Sequence, residues 1–179
     1  MCERHQFDGF KERHDDVLRV VRAAILRNAG INPGPIHAVT PRVNENYRLR
    51  VLWDMPLYTD RKINARRPDM VVFDKATKEI YVFEAAVPWE SGLQETWDAK
   101  YQKYRRLARD LAWQYSGWRV SVIPIIVGVF GTIEQARTRT ALLDTGLVTV
   151  DQFPNLLQSM SRTAIMGTER VLRRHLRKP

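Results

Sequence analysis

An α/β fold, a mixed central sheet with flanking helices, is what the sequence predicts, on three observations. Met70-Val71-Val72-Phe73 and Ile80-Tyr81-Val82-Phe83 are β-branched and aromatic runs joined by the turn-compatible stretch Asp74-Lys75-Ala76-Thr77-Lys78-Glu79, the pattern of a β-hairpin. From 93 to 115, Trp97, Tyr101, Tyr104, Ala108, Leu111 and Tyr115 recur at steps of three and four, one buried helix face. From 119 to 129 runs a nearly continuous apolar stretch, a strand covered on both faces.

The first helix is expected over 15–29, with Val17, Val21, Ala24 and Ile25 on one face and a stop at Gly30 before Pro33-Gly34-Pro35. Residues 48–53 form a candidate strand and 54–64 a loop. Pro68 cannot donate to a sheet ladder and so fits just before the hairpin. Pro124 argues for a bulge or an edge in the strand after the second helix. Thr132-Ile133-Glu134-Gln135 reads as a capping box opening a helix to about Asp144, closed by Gly146, and a last helix spans 153–176. The order is therefore α, β, β-hairpin, α, β, α, α in one domain over 1–179.

Composition narrows the partner. A chain of 179 residues, 44% hydrophobic, can bury one core. Its net charge of +9 favours a polyanion, although basic surfaces also suit anionic membranes or simple solubility. No stretch reaches transmembrane length and Met1-Cys2-Glu3-Arg4 does not begin a secretory signal, so an intracellular, membrane-free protein is expected. The single Cys2 excludes an internal disulfide, and with His5 it offers too few ligands for structural zinc.

The chemistry is concentrated in Arg67-Pro68-Asp69, Glu84 and Lys100. Antiparallel return of the hairpin brings Glu84 beside Asp69, and two carboxylates so placed can hold a hard cation such as Mg²⁺ or Mn²⁺ against a phosphodiester. At 100° per residue Lys100 lies about 40° from Tyr104, near the apolar face, whereas Lys103 lies about 100° away. Lys100 either snorkels over that face or reaches the carboxylates to orient water and neutralise transition-state charge. Lys103 is expected to point sideways, towards DNA backbone at most. Arg61, Lys62, Arg66 and Arg67 would flank a scissile phosphate. The C-terminal row Arg162, Arg170, Arg173, Arg174, Arg177 and Lys178 is either a DNA-backbone contact or a solvated helix end. His14 is either a structural residue where the first helix opens or a general base. Asp15, Asp16 and Glu90 are reserve ligands, and Trp89 is either core filling or a base-stacking side chain.

These motifs resemble the PD-(D/E)XK nucleases, which pair a Pro-Asp with a later (Asp/Glu)-x-Lys. Here Ala86 stands at the usual lysine position. The chain is similar in that departure to the restriction-like endonuclease domain of site-specific non-LTR retrotransposons, whose lysine lies in a Lys-x-x-Lys-Tyr pattern on the next helix, here Lys100-Tyr101-Gln102-Lys103-Tyr104. Arg13-His14-Asp15, Glu84-Ala85-Ala86-Val87-Pro88-Trp89-Glu90 and Val127-Gly128-Val129-Phe130-Gly131 match in order, from about Cys2 to Thr132. The resemblance implies a restriction-endonuclease-like fold and a Mg²⁺ or Mn²⁺ site at Asp69, Glu84 and the Ala85 carbonyl. It adds Lys100, Lys103 and Tyr104 as catalytic residues, while Arg61, Lys62, Arg66, Arg67, Arg173 and Arg174 are the DNA contacts that the basic runs themselves suggest. It further implies nicking of double-stranded target DNA to leave a 3′-hydroxyl for reverse transcription, a reverse-transcriptase portion as partner, a nuclear setting, and a zinc-knuckle remnant over 1–14. The competing reading is a catalytically silent nucleic-acid-binding domain of the same fold.

Overall fold

A computed structural model describes residues 3–35, 38–59 and 66–176, with the side chains of 3–8 left aside. Arg61 and Lys62 therefore lie outside the described residues, as do Cys2 and the side chain of His5. Five strands, β1 (Val43–Glu45), β2 (Leu49–Trp53), β3 (Met70–Asp74), β4 (Glu79–Ala86) and β5 (Arg119–Ile126), form one sheet in the order β1-β2-β3-β4-β5. The first four pair antiparallel and β4 pairs β5 parallel, so the sheet is mixed. Among the described residues four α-helices accompany the sheet: α1 (Glu3–Asn28), α2 (Leu93–Gln114), α3 (Gln135–Leu143) and α4 (Phe153–Leu176).

Alternation along the strands divides the core in two, as period-2 side-chain placement requires. On one face Met70, Val72, Tyr81, Phe83 and Ala85 pack with α1, α3 and α4; on the other Val71, Phe73, Ile80 and Val82 pack against Tyr104, Leu107 and Leu111 of α2. The hairpin register, Met70 opposite Phe83 and Asp74 opposite Glu79, carries the chain to Asp69 at the level of Glu84.

Several expectations are corrected. Helix α1 begins about three turns before residue 15, so Arg13-His14-Asp15 lies inside it and His14 faces the sheet. Strand β1 was not foreseen; three residues with no buried side chain give no apolar signal. On α2, Leu107 rather than Tyr101 completes the buried stripe, and Tyr101 is exposed. β5 pairs with β4 at every position from Arg119 to Ile126, so Pro124 marks an edge and not a bulge. Only its second half is buried throughout. No capping box forms at α3, whose N-cap is Glu134 with no side-chain cap bond.

α1 and α4 pack closely where Gly167 meets Arg13: a Cβ at 167 would stand 2.5 Å from Arg13 Cγ and 3.0 Å from its Cβ. Arg13 cannot yield there, since its guanidinium is tied to Thr168 Oγ1 at 2.9 Å and to the Val87 carbonyl at 3.1 Å. Gly167→Ala is therefore expected to destabilise the fold by about 1–3 kcal/mol, read as a lower thermal midpoint in calorimetry.

Candidate active site

Glu84 is placed by the alternation of β4, which turns its side chain towards α2 at the last turn of strand before the chain leaves the sheet. Its side chain is 3% exposed. Lys100 and Lys103, three residues apart on α2 and so on neighbouring positions of one face, both donate to Glu84 Oε1, at 2.8 and 2.9 Å. Lys103 thus does not point sideways: the stripe centred on Leu107 turns it back towards the strand. Lys100 is the more enclosed, 25% against 46% exposed. Glu84 Oε2 is buried with no hydrogen-bond partner, a costly state for a carboxylate oxygen unless something binds it.

Asp69 comes from the other strand. Its Oδ2 accepts the Ala85 N–H at 2.8 Å and lies 3.0 Å from His14 Nε2. The same His14 Nε2 lies 3.0 Å from the Ala85 carbonyl oxygen, while Nδ1 is 3.0 Å from Asp15 Oδ1. His14 belongs beside the hairpin, and a purely helix-terminal role for it is excluded by its place in mid-helix. Burial alone would lower its pKa, but the hydrogen bonds to Asp15 and Asp69 and their negative charges prevail and raise it to about 9. For Asp69, burial opposes ionisation; the hydrogen bond and charge of His14 and the Ala85 N–H outweigh it and hold the carboxyl below its ordinary value.

Tyr104 is buried beneath Lys103, whose Nζ lies 4.7 Å from the ring centroid, and its hydroxyl donates to the Arg67 carbonyl at 3.0 Å. Desolvation, then the charge of Glu84, raises its pKa. Tyr104 thereby anchors the Arg67-Pro68-Asp69 segment to α2. Arg67 lies at the rim and forms a fork with Asp54 at 2.8 and 2.9 Å; Arg66 is exposed.

Other candidates fall elsewhere. Asp16 is buried between Arg19 and Arg170. Glu90 accepts the Phe130 N–H at 2.8 Å and fills the space over Gly128, which joins the loops after β4 and β5. Trp89 is 67% exposed, so it does not fill the core, and it packs edge-on against the exposed Phe130. Arg173 pairs with Glu169 and Arg174 with Glu12, so part of the C-terminal basic row is balanced by neighbouring acids.

Asp69, Glu84 and the Ala85 carbonyl offer oxygen donors of the kind a hard ion such as Mg²⁺ or Mn²⁺ takes; the 3.0 Å separations of His14 Nε2 from Asp69 Oδ2 and the Ala85 oxygen are hydrogen-bond distances. Glu84 Oε2 adds a buried, unpartnered oxygen. As it stands the cluster is closed on itself by hydrogen bonds, and among the described residues no three His, Cys, Asp or Glu side chains form a ready metal cage.

Neither a protein-family model nor a curated protein matches the sequence. Among solved structures the chain is similar to an N-terminal domain of a reptarenavirus L protein, with a TM-score of 0.38 and 16% identity over 87% of this chain and 78% of that one. So weak a likeness assigns no residue a role. Among the described residues no helix is long and apolar enough to cross a membrane.

The His14 pKa has a sign that can be checked. Because it is raised on folding from 6.5 to about 9, its contribution is fully present below about pH 6.5 and is lost as pH rises through 9. Urea unfolding of wild type and His14→Gln is expected to differ most, by up to about 3 kcal/mol, at the acid end of that window and to converge above it.

Proposed function

We propose that the chain is a metal-dependent DNA endonuclease acting through Asp69, Glu84 and the lysines of α2. The observation that carries this reading is Glu84: a buried carboxylate with two ammonium groups on one oxygen and no partner on the other. An unmade hydrogen bond at a buried oxygen costs about 1–3 kcal/mol; Glu90 Oε2 and Asp110 Oδ2 share that state, and Glu84 differs from them in carrying two ammonium groups. Asp69, Glu84, the Ala85 carbonyl and His14 would hold Mg²⁺ or Mn²⁺, which when bound polarises a phosphoryl oxygen and makes its water a nucleophile near neutral pH.

The remaining work falls to the chain itself. Lys100 and Lys103 both stand at Glu84 Oε1 and are themselves partly exposed, so that their charge would oppose the negative charge that grows on phosphorus-bound oxygens as water adds. Lys100, the more enclosed, is the first candidate to orient that water. His14 gives its proton to solvent before Nε2 can serve as a ligand, since a protonated imidazole has no lone pair to offer. Tyr104 holds the Arg67 backbone and so the position of Asp69. Arg67, on a surface fork with Asp54 worth about 0–1 kcal/mol, can exchange that carboxylate for a phosphate at little cost. By the family resemblance, the product would be a nick with a 3′-hydroxyl that primes reverse transcription, on a double-stranded target in the nucleus, with a reverse-transcriptase portion as partner.

The second reading, a silent nucleic-acid-binding domain, is favoured by the closed His14–Asp69–Ala85 arrangement, in which an imidazolium satisfies donors that a metal would otherwise claim. Nicking of supercoiled plasmid separates the two. The endonuclease reading expects nicking only with Mg²⁺ or Mn²⁺, loss of it in Asp69→Ala and Glu84→Ala, and DNA binding retained or tightened in both variants. A wild-type protein that binds DNA but never nicks with either metal supports the silent domain. In single-turnover nicking, Lys100→Ala is expected to lose about 10²- to 10³-fold in rate and Lys103→Ala less; the reverse order would make Lys103 the principal catalytic lysine.

A further inference from the structure

Beside the carboxylate cluster a cleft of about 350 Å³ opens between α1 and the end of β2, lined by Phe10, Lys11, His14, Asp15, Trp53 and by Asp54 with Asp69. Its volume lies within the range of about 300–1,000 Å³ of small-molecule sites; Phe10 and Trp53 supply its aromatic wall, and Asp15, Asp54 and Asp69 bring three carboxylates to it. Two of its lining residues, His14 and Asp69, belong to the candidate metal site as well. Whatever lies in the cleft is therefore next to whatever is cut.

Phe10 gives the cleft its character. It is 46% exposed on a helix whose other apolar positions from Val17 onward are buried or partly buried, and the Arg13 guanidinium carbon lies 5.4 Å from its ring centroid. Arg13 is fixed in turn by Thr168 and the Val87 carbonyl. A half-exposed aromatic ring offers a face on which a base can stack. The rim carries Lys11, 68% exposed, and Arg67, 55% exposed, which share the Asp54 carboxylate at 4.0 and 2.8 Å. Lys11 and Arg67 at the rim offset the carboxylates of Asp15, Asp54 and Asp69, and with the Phe10 face inside they suit a nucleotide, phosphate outward and base inward. In a duplex every base is paired and stacked, so only a single-stranded or flipped base can enter.

We propose that this cleft receives an unstacked nucleobase of the strand being cut, with Phe10 as its stacking face, so that the chain takes its DNA as a single strand at the point of cleavage. The inference rests on the endonuclease reading and supplies its substrate form. It replaces an intact duplex by a locally open one.

The test is fluorescence anisotropy with the full chain in EDTA, so that no strand is cut, on three probes: a short mixed-sequence single strand, the same sequence as a hairpin duplex, and a strand of abasic nucleotides. Wild type is expected to bind the base-bearing strand about tenfold more tightly than either other probe, the effect of stacking one base. Phe10→Leu, which keeps the apolar bulk of a half-exposed position, is expected to lose about that tenfold on the base-bearing strand alone. Equal wild-type affinity for base-bearing and abasic strands would overturn the inference without recourse to any variant. So would a Phe10→Leu loss that is the same on all three probes. Wild type that nicks duplex plasmid normally but shows no single-strand preference defeats this inference and leaves the endonuclease reading standing; wild type that binds none of the probes and nicks nothing defeats both.

Discussion

Burying a carboxylate costs several kcal/mol unless cations and donors surround it, and the geometry of this fold is arranged around one such group. Glu84 stands at the end of a central strand with α2 laid across it, and the helix supplies both compensating charges from one face, Lys100 and Lys103. That requirement fixes the rotation of α2: Tyr104, next in sequence, must turn inward under Lys103, and from there its hydroxyl reaches the Arg67 backbone. The same helix thereby sets the position of Asp69 on the neighbouring strand. A single ionic contact organises two strands and a helix into one cluster.

Much of this could be read from residues alone, because it follows from short-range periodicity. Two β-branched runs with a polar turn define a hairpin, and period 2 puts Glu84 on the face opposite Ala85. The basic face of α2 is legible in the same way, although the spacing also admits Tyr101, which is exposed, and hides Leu107, which is buried. That ambiguity makes Lys103 look peripheral. His14 was lost for a different reason. Its partner Ala85 is 71 residues away, and the helix was begun at Asp15, after it. A signal existed: His14 precedes Leu18, Val21 and Ile25 at steps of four, three and four, and all three are fully buried, so continuing that stripe by one turn places His14 against the sheet.

The charge of +9 is not spread as bare positive surface. Arg170 and Arg174 of α4 reach Asp16 and Glu12 of α1, so part of the basic C-terminal row serves to fasten two helices that already pack closely at Gly167. The exposed Arg174–Glu12 pair contributes about 0–1 kcal/mol, whereas Arg170 meets a buried carboxylate, Asp16. The two pairs set the relative register of α1 and α4, and that register decides where His14 meets the hairpin.

The central claim is that His14, Asp69, Glu84 and the Ala85 carbonyl form one divalent-ion site. Paramagnetic broadening by substoichiometric Mn²⁺ in the ¹H–¹⁵N spectrum of the full chain reads this directly, without any assay of cleavage. The account predicts that the Ala85 amide and the His14 ring vanish first, and that both persist in Glu84→Gln at the same Mn²⁺ concentration. Broadening centred on exposed acids such as Asp98 and Glu134, with Ala85 and His14 untouched, would contradict it.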